Sequence, residues 1–196
     1  MLFHIGMMML ATPAAGAVET AKAIFAGGCF WCMEYPFDKI DGVISTISGY
    51  IGGHKDNPTY EEVCSGETGH TEAVEVVYDP NKVSYEQLLQ IFWRNIDPLA
   101  KNRQFCDIGS QYRTAIFCHD AAQKKAAEDS LEELNRSGRF QQPIVTEIVA
   151  ATTFYPAEEY HQKYYKKSPI RYQVYRSGSG RDGRLRELWD DEADDH

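Results

Sequence analysis

"IFAGGCFWCMEYPF", Ile24 to Phe37, joins a short apolar run to a glycine pair and then to two thiols with two large rings between them. The apolar run with Ala21 to Ala23 before it predicts a buried strand ending at Gly27 and Gly28. A helix is predicted to start near Cys29, with Pro36 ending or kinking it. That strand-turn-helix unit leaves Cys29 among unsatisfied backbone N–H groups at the positive end of the helix. A thiol placed there is expected to ionise readily and act as a nucleophile. The glycines let the chain turn sharply and leave the sulfur approachable.

Outward from this unit, strands and helices interleave. "GVISTISGYIGG" reads as a strand, and a polar loop, "HKDNPTYEEVCSGETGH", follows it. "TEAVEVVYDP" alternates as a half-buried strand closed by a turn at Asp79 and Pro80. Ser84 and Gln87 form a capping box for a helix that lines up Leu88, Leu89, Phe92 and Ile96 on one face. "YRTAIFCH" and "IVTEIVA" are further strands, separated by a charged helix from Asp120, its N-cap, to Asn135. From Arg176 the chain turns Gly- and Ser-rich and then acidic, so residues 176–196 are expected to be a mobile tail with one turn docking Leu185, Leu188 and Trp189.

The 196 residues suffice for one globular domain, and the net charge of -9 leaves no basic face for nucleic acid. Five cysteines at irregular spacing, Cys29, Cys32, Cys64, Cys106 and Cys118, do not make a disulfide framework, so at least one should be free or redox-active. Cys64 and Cys118 read as buried small hydrophobes. The first 20 residues are apolar for about a dozen positions and then offer Ala15-Gly16-Ala17, a small-x-small cleavage pattern. Lacking Lys and Arg, this segment reads either as the leader of an exported, periplasmic protein or as a disordered leader on a cytoplasmic one. It is too short to span a membrane.

Three bland readings compete for the Cys29 and Cys32 pair. Zinc needs four ligands, and no second Cys-x-x-Cys or His pair at finger spacing appears. A general dithiol oxidoreductase fits the spacing but does not use the rings. Two inert buried thiols would make the motif structural, as in a peptide-binding module with vestigial thiols. The remaining reading is a thiolate that attacks a substrate beside an apolar wall.

On that point, "GGCFWCMEYPF", "GYIGGHKDNPTYEEVCSGETGHTEAVEVVYDP", "NRQFCDIGSQYRTAIF" and "FYPAEEYHQKYY" together resemble the A-type peptide methionine sulfoxide reductases, over roughly Ala23 to Tyr165. The resemblance implies that Cys29 is the nucleophile, that Phe30 and Trp31 hold the substrate's S-methyl group, and that Glu72 protonates the sulfoxide oxygen. It further implies that Tyr60 and Tyr112 hydrogen-bond that oxygen and that Asp107 orients the substrate main chain. His161 and Glu158 match the family text and are read as scaffold or rim. Many members have glycine after "GCFW", where this chain has Cys32, and Gly-Asn before the loop aspartate, where it has Phe105 and Cys106. No cysteine follows Cys118, so a resolving thiol in a C-terminal tail is not expected.

The chemistry agrees with this cast. A sulfoxide is a strong acceptor beside a methyl, so its site needs donors on one side and an aromatic wall on the other. Its sulfur becomes attackable as the oxygen gains a proton, which Glu72 can supply if burial raises its pKa. The expected molecule is an α+β two-layer domain over 21–175, a mixed β-sheet with helices packed against it, working as a monomer. It is expected to reduce methionine S-sulfoxide, free or in proteins, without metal, flavin or nucleotide cofactor. Cys29 becomes a sulfenic acid, Cys32 or, as a rival, Cys106 resolves it to a disulfide, and a thioredoxin-like reductant restores the thiols.

Overall fold

The computed structural model of the chain describes residues 19–189; the expected leader up to residue 18 and the acidic end from residue 190 lie outside the described residues. In chain order the elements are β1 (Ala21–Gly27), α1 (Phe30–Asp38), β2 (Val43–Ile51), α2 (Tyr60–Cys64), β3 (Thr71–Tyr78) and α3 (Tyr85–Arg94). They continue with β4 (Arg103–Gln104), β5 (Asp107–Ile108), β6 (Thr114–Cys118), α4 (Ala121–Arg136), β7 (Glu147–Ala150) and β8 (Tyr155–Pro156). The chain closes with α5 (Tyr164–Lys167), α6 (Pro169–Gly178) and α7 (Arg181–Trp189).

Six strands form one mixed sheet in the order β7-β6-β1-β3-β2-β8, parallel only between β6 and β7. β1 lies inside it, which is why "AIFA" is an unbroken apolar run: its two faces are covered by different material. Ala23 and Phe25 face the helices, where Phe25 stacks at 5.1 Å on Phe37 and at 5.2 Å on Phe92. Ile24 and Ala26 face the other way, against Ile51, Ala73 and Phe117. Full burial of a ring such as Phe25 contributes on the order of 2 kcal/mol. The sheet-and-helix architecture matches the expected α+β domain.

α3 carries the expected capping box, with Ser84 Oγ accepting from Gln87 N–H and Gln87 Oε1 accepting from Ser84 N–H. Asp120 caps α4 by accepting from Gln123 N–H at 2.8 Å. Three expectations need correction. α1 continues through Pro36 to Asp38; the proline removes one helix bond, while Met33 and Phe37 on either side are fully buried and hold the helix to the sheet. The polar loop contains α2, closed by a second capping box between Thr59 and Glu62.

The third correction concerns the boundary at 175. It falls inside α6, and the segment through Trp189 is two helices packed on the domain, not a loose tail with one turn. "SGSG" is the turn between them: Gly180 takes φ +76°, and Ser179 Oγ accepts from Arg181 N–H. Leu185, Leu188 and Trp189 are buried as expected, and so is Arg181, which was not.

Candidate active site

The site is assembled at the end of β1. Gly28 has φ +81°, and a Cβ there would lie 2.4 Å from Gln104 Cβ, so only glycine brings the chain round to Cys29. Cys29 is the N-cap of α1, and its carbonyl accepts from Cys32 N–H and Met33 N–H. From β3, Glu72 reaches across and accepts from Phe30 N–H at 2.9 Å. A pocket of about 80 Å³ opens among Cys29, Phe30, Trp31, Tyr60, Glu72, Asp107, Tyr112 and Tyr175.

Seven of the eight residues singled out in the sequence thus line one pocket. The eighth, Cys32, sits one turn behind Cys29, 1% exposed, in a cluster with Cys29 and Tyr172. Tyr175 is the residue that sequence reasoning missed. It lies on α6 and donates to Asp107 Oδ2 at 2.5 Å, fixing that carboxylate, and its hydroxyl also reaches Cys29. Nothing in "IRYQVYRSG" announces it, because its role depends on how α6 packs.

The aromatic wall is held from behind. Trp31 stacks on Tyr164 at 3.8 Å and meets the Tyr175 ring edge-on at 5.8 Å. Its Nε1–H donates to His161 Nδ1 at 3.1 Å. His161, 1% exposed, also packs against Phe30 and Tyr60. Glu158 accepts from Tyr60 N–H and the Tyr50 hydroxyl. Both therefore act as scaffold, as their sequence context suggested.

The electrostatics depart from the sequence reading at one point. Cys29 was expected to ionise easily, but burial, then the hydrogen bond to Cys32 and the negative charges of Cys32 and Glu72, push its thiol well above the ordinary value. One helix end offers about 0.3–1 kcal/mol, less than such burial removes. Cys32 is the partner that ionises: the hydrogen bond from Cys29, helped by the Arg181 and Arg176 charges, brings it down to about 7 despite burial. Of the two thiols, Cys32 is the one that ionises first.

Burial lifts Glu72 to about 8, more than the Phe30 N–H bond lowers it. It is protonated at neutral pH, as a proton donor must be. Burial likewise raises Tyr60, Tyr112 and Tyr175, so all three remain hydroxyl donors. Cys64, expected to be buried and inert, is half-buried and touches the hydroxyls of Tyr60 and Tyr112. Cys118 is buried at the end of β6. Cys106 is exposed at the turn between β4 and β5, its thiol 3.7 Å from Asp107 Oδ1. Phe105 in that turn takes φ +53°, a conformation that glycine would adopt without strain.

Among the described residues no cluster of three or more His, Cys, Asp or Glu side chains could hold a metal ion. No described helix is long and apolar enough to cross a membrane.

Comparison with known proteins accounts for this arrangement. The family profile of peptide methionine sulfoxide reductases matches residues 21–193. The peptide methionine sulfoxide reductase MsrA of Bacillus licheniformis is 55% identical over 173 residues, covering 88% of this chain and 96% of the relative. Among solved structures, reduced Mxr1 from Saccharomyces cerevisiae superposes with a TM-score of 0.73 at 33% identity, covering 80% of this chain and 90% of that one. Methionine sulfoxide reductase A of Corynebacterium diphtheriae gives 0.70 at 36%, covering 79% and 78%. Mxr1 has also been solved in complex with Trx2. With a profile that spans nearly all of the described residues and a relative 55% identical along 96% of its own length, the chain belongs to the peptide methionine sulfoxide reductase family.

Proposed function

We propose that the protein reduces the S epimer of methionine sulfoxide, free or in proteins, with Cys29 as nucleophile, Glu72 as acid and Cys32 as resolving thiol. One observation carries the reading: a thiol and a carboxyl that is protonated at neutral pH share a small pocket with an aromatic wall and three phenol donors. The substrate methyl packs on Phe30 and Trp31, Tyr60 and Tyr112 donate to its oxygen, and Asp107, held by Tyr175, accepts from its main chain.

The hydrogen bond between the thiols lets the proton pass from Cys29 to Cys32, and Cys29 then attacks the sulfoxide sulfur as Glu72 protonates the oxygen. The attack forms an S–S bond to the substrate sulfur, which still carries the hydroxyl. That hydroxyl is then transferred to the Cys29 sulfur as the S–O bond to the substrate and the new S–S bond break, leaving Cys29 as a sulfenic acid and releasing methionine. Cys32 then displaces that hydroxyl as water to form a disulfide. A thioredoxin-type dithiol returns both thiols by exchange, the class of partner with which Mxr1 was solved.

Incubation with dithiothreitol and methionine S-sulfoxide tests this. Catalytic formation of methionine is expected, with little from the R epimer. Reduction of a disulfide substrate with no methionine formed would favour a general dithiol oxidoreductase. Export remains a proposal resting on Ala15-Gly16-Ala17; native protein beginning near Val18 would support it, and retention of Met1 would oppose it.

A further inference from the structure

Arg181 is in a place that stability alone disfavours. It is the first residue of α7, where the helix dipole opposes a cation, and it is 1% exposed. Its guanidinium donates to the carbonyls of Asn95 at 2.6 Å and Gly27 at 3.0 Å and reaches Met33 Sδ at 3.6 Å. The Phe105 ring lies 4.3 Å away on another side. No carboxylate among the described residues lies within ion-pair distance of it. A buried charge matched only by carbonyls and a ring costs several kcal/mol unless an anion stands near. Neutral donors could satisfy the two carbonyls, so the hydrogen bonds do not explain the charge.

The guanidinium lies against the base of the thiol pair. It holds the Gly27 carbonyl at the root of the turn that presents Cys29 and reaches Sδ of Met33, the residue after Cys32 on α1, while Cys32 is 1% exposed in a buried cluster with Cys29 and Tyr172. Cys32 packs with Cys29, the N-cap of α1, and with Tyr172 on α6. The charged and titratable groups that act on it electrostatically are Cys29, Arg181 on α7, Arg176 and Tyr172 on α6, Asp107 on β5 and Glu72 on β3. Of these only the two arginines are positive. Arg176 is already paired with Asp182 at 2.8 Å, which leaves Arg181 as the uncommitted charge.

We propose that Arg181 is a positioning residue for the resolving step, the buried counter-charge that holds Cys32 as a thiolate against Cys29. The inference rests on the reading of Cys29 as nucleophile and Cys32 as resolving thiol. In that step the Cys32 sulfur bonds to the Cys29 sulfur, the S–O bond breaks, and hydroxide leaves as water with one proton from the site or solvent. Cys29 is reduced from sulfenic acid to the disulfide level as Cys32 is oxidised to it. When the reductant later attacks Cys29, Cys32 leaves as a thiolate, and the same charge stabilises its departure.

Two measurements test it. In a Cys29→Ser background, the ultraviolet absorbance of thiolate is followed against pH. A transition near neutrality is expected, separate from Cys64, Cys106 and Cys118, which burial raises. Arg181→Met should move that transition up by about one to two pH units, whereas Arg181→Lys, which keeps the charge, should move it far less. A purely structural arginine would give equal losses of stability in both variants and no shift. Should Arg181→Met fail to fold, Arg181→Gln, which keeps amide donors without the charge, is read in its place in the same background: an unshifted Cys32 transition overturns the proposal.

In the protein with all its thiols, one equivalent of methionine S-sulfoxide without reductant should yield one methionine per chain. The sulfenic acid trapped by dimedone should then decay about 10- to 100-fold more slowly at pH 7 in Arg181→Met, as the thiolate fraction falls. Unchanged decay in that variant contradicts the proposal. Absence of methionine in the unsubstituted protein would instead contradict the functional reading beneath it.

Discussion

The two ends of α1 treat a carboxyl group in opposite ways. At the N-terminal end, Glu72 meets one backbone N–H, from Phe30, and pairs with no cation among the described residues, and burial carries it up to about 8. At the C-terminal end, burial would also raise Asp38, but hydrogen bonds from Lys163, Lys166 and Tyr165 outweigh it and hold the group well below the usual carboxylate range. Glu34, one turn earlier and fully buried, joins the same knot through Lys163 and Thr46. Burial raises a carboxyl, and the donors set against it decide the outcome: Lys163, Lys166 and Tyr165 outweigh burial at Asp38, whereas Lys163 and Thr46 do not at Glu34, whose carboxyl stays raised. Asp38 fastens the segment carrying His161 and Tyr164 behind Trp31; Glu72 keeps its proton for the substrate.

The contrast can be broken at several points. Cys29→Ser should abolish turnover while circular dichroism stays native, since a hydroxyl is a far weaker nucleophile than a thiolate. Glu72→Gln keeps the shape and a donor but has no proton to transfer, so the chemical step should slow by about 10²- to 10⁴-fold with a smaller change in binding. Cys32→Ser should release one methionine per chain and then stall, and peptide mapping of the unsubstituted protein after substrate should show a Cys29 to Cys32 link. A Cys29 to Cys106 link with normal cycling in Cys32→Ser would move the resolving role to the exposed thiol.

Asp38→Asn should leave the chemical step near normal and lower stability by about 1–3 kcal/mol, read by denaturant unfolding. The two carboxyls should also act oppositely on stability as pH changes. Asp38, depressed in the fold, contributes stability above its unfolded pKa that is lost as pH falls through the folded value. Glu72, raised in the fold, binds more proton folded than unfolded between about pH 4 and 8, so its contribution declines as pH climbs through that window. At pH 9, Glu72→Gln should therefore melt above the unsubstituted protein and Asp38→Asn below it; the same sign for both would erase the contrast.

What was legible in the sequence follows the range of the signals. Glycines before Cys29, the capping box at Ser84 and the N-cap at Asp120 are local, and each has its counterpart in the fold; β3, expected to be half-buried, is buried on both faces because it lies inside the sheet between β1 and β2. The pocket residues were legible as motifs, although Cys29 and Glu72 meet only through the pairing of β1 with β3, and Asp107 arrives on the separate β4–β5 hairpin. Ionisation was the harder inference. The helix start at Cys29 is a local cue, but its thiol answers to burial and to Cys32, which depend on α6 and α7. The chain from Arg176, the last turn of α6 and all of α7, was read as a loose tail because a Gly- and Ser-rich run looks the same in a turn as in a free end. Arg181 was hidden there, and Tyr175 just before it.

The most direct test of the account is the pH dependence of single-turnover methionine release. For the unsubstituted protein the rate should rise as the thiol pair ionises and fall again above about pH 8, where Glu72 loses its proton. In Glu72→Gln the falling limb should vanish and the whole profile should lie lower. A falling limb that persists in Glu72→Gln, or a near-normal rate there, would contradict the assignment of this buried carboxyl as the acid.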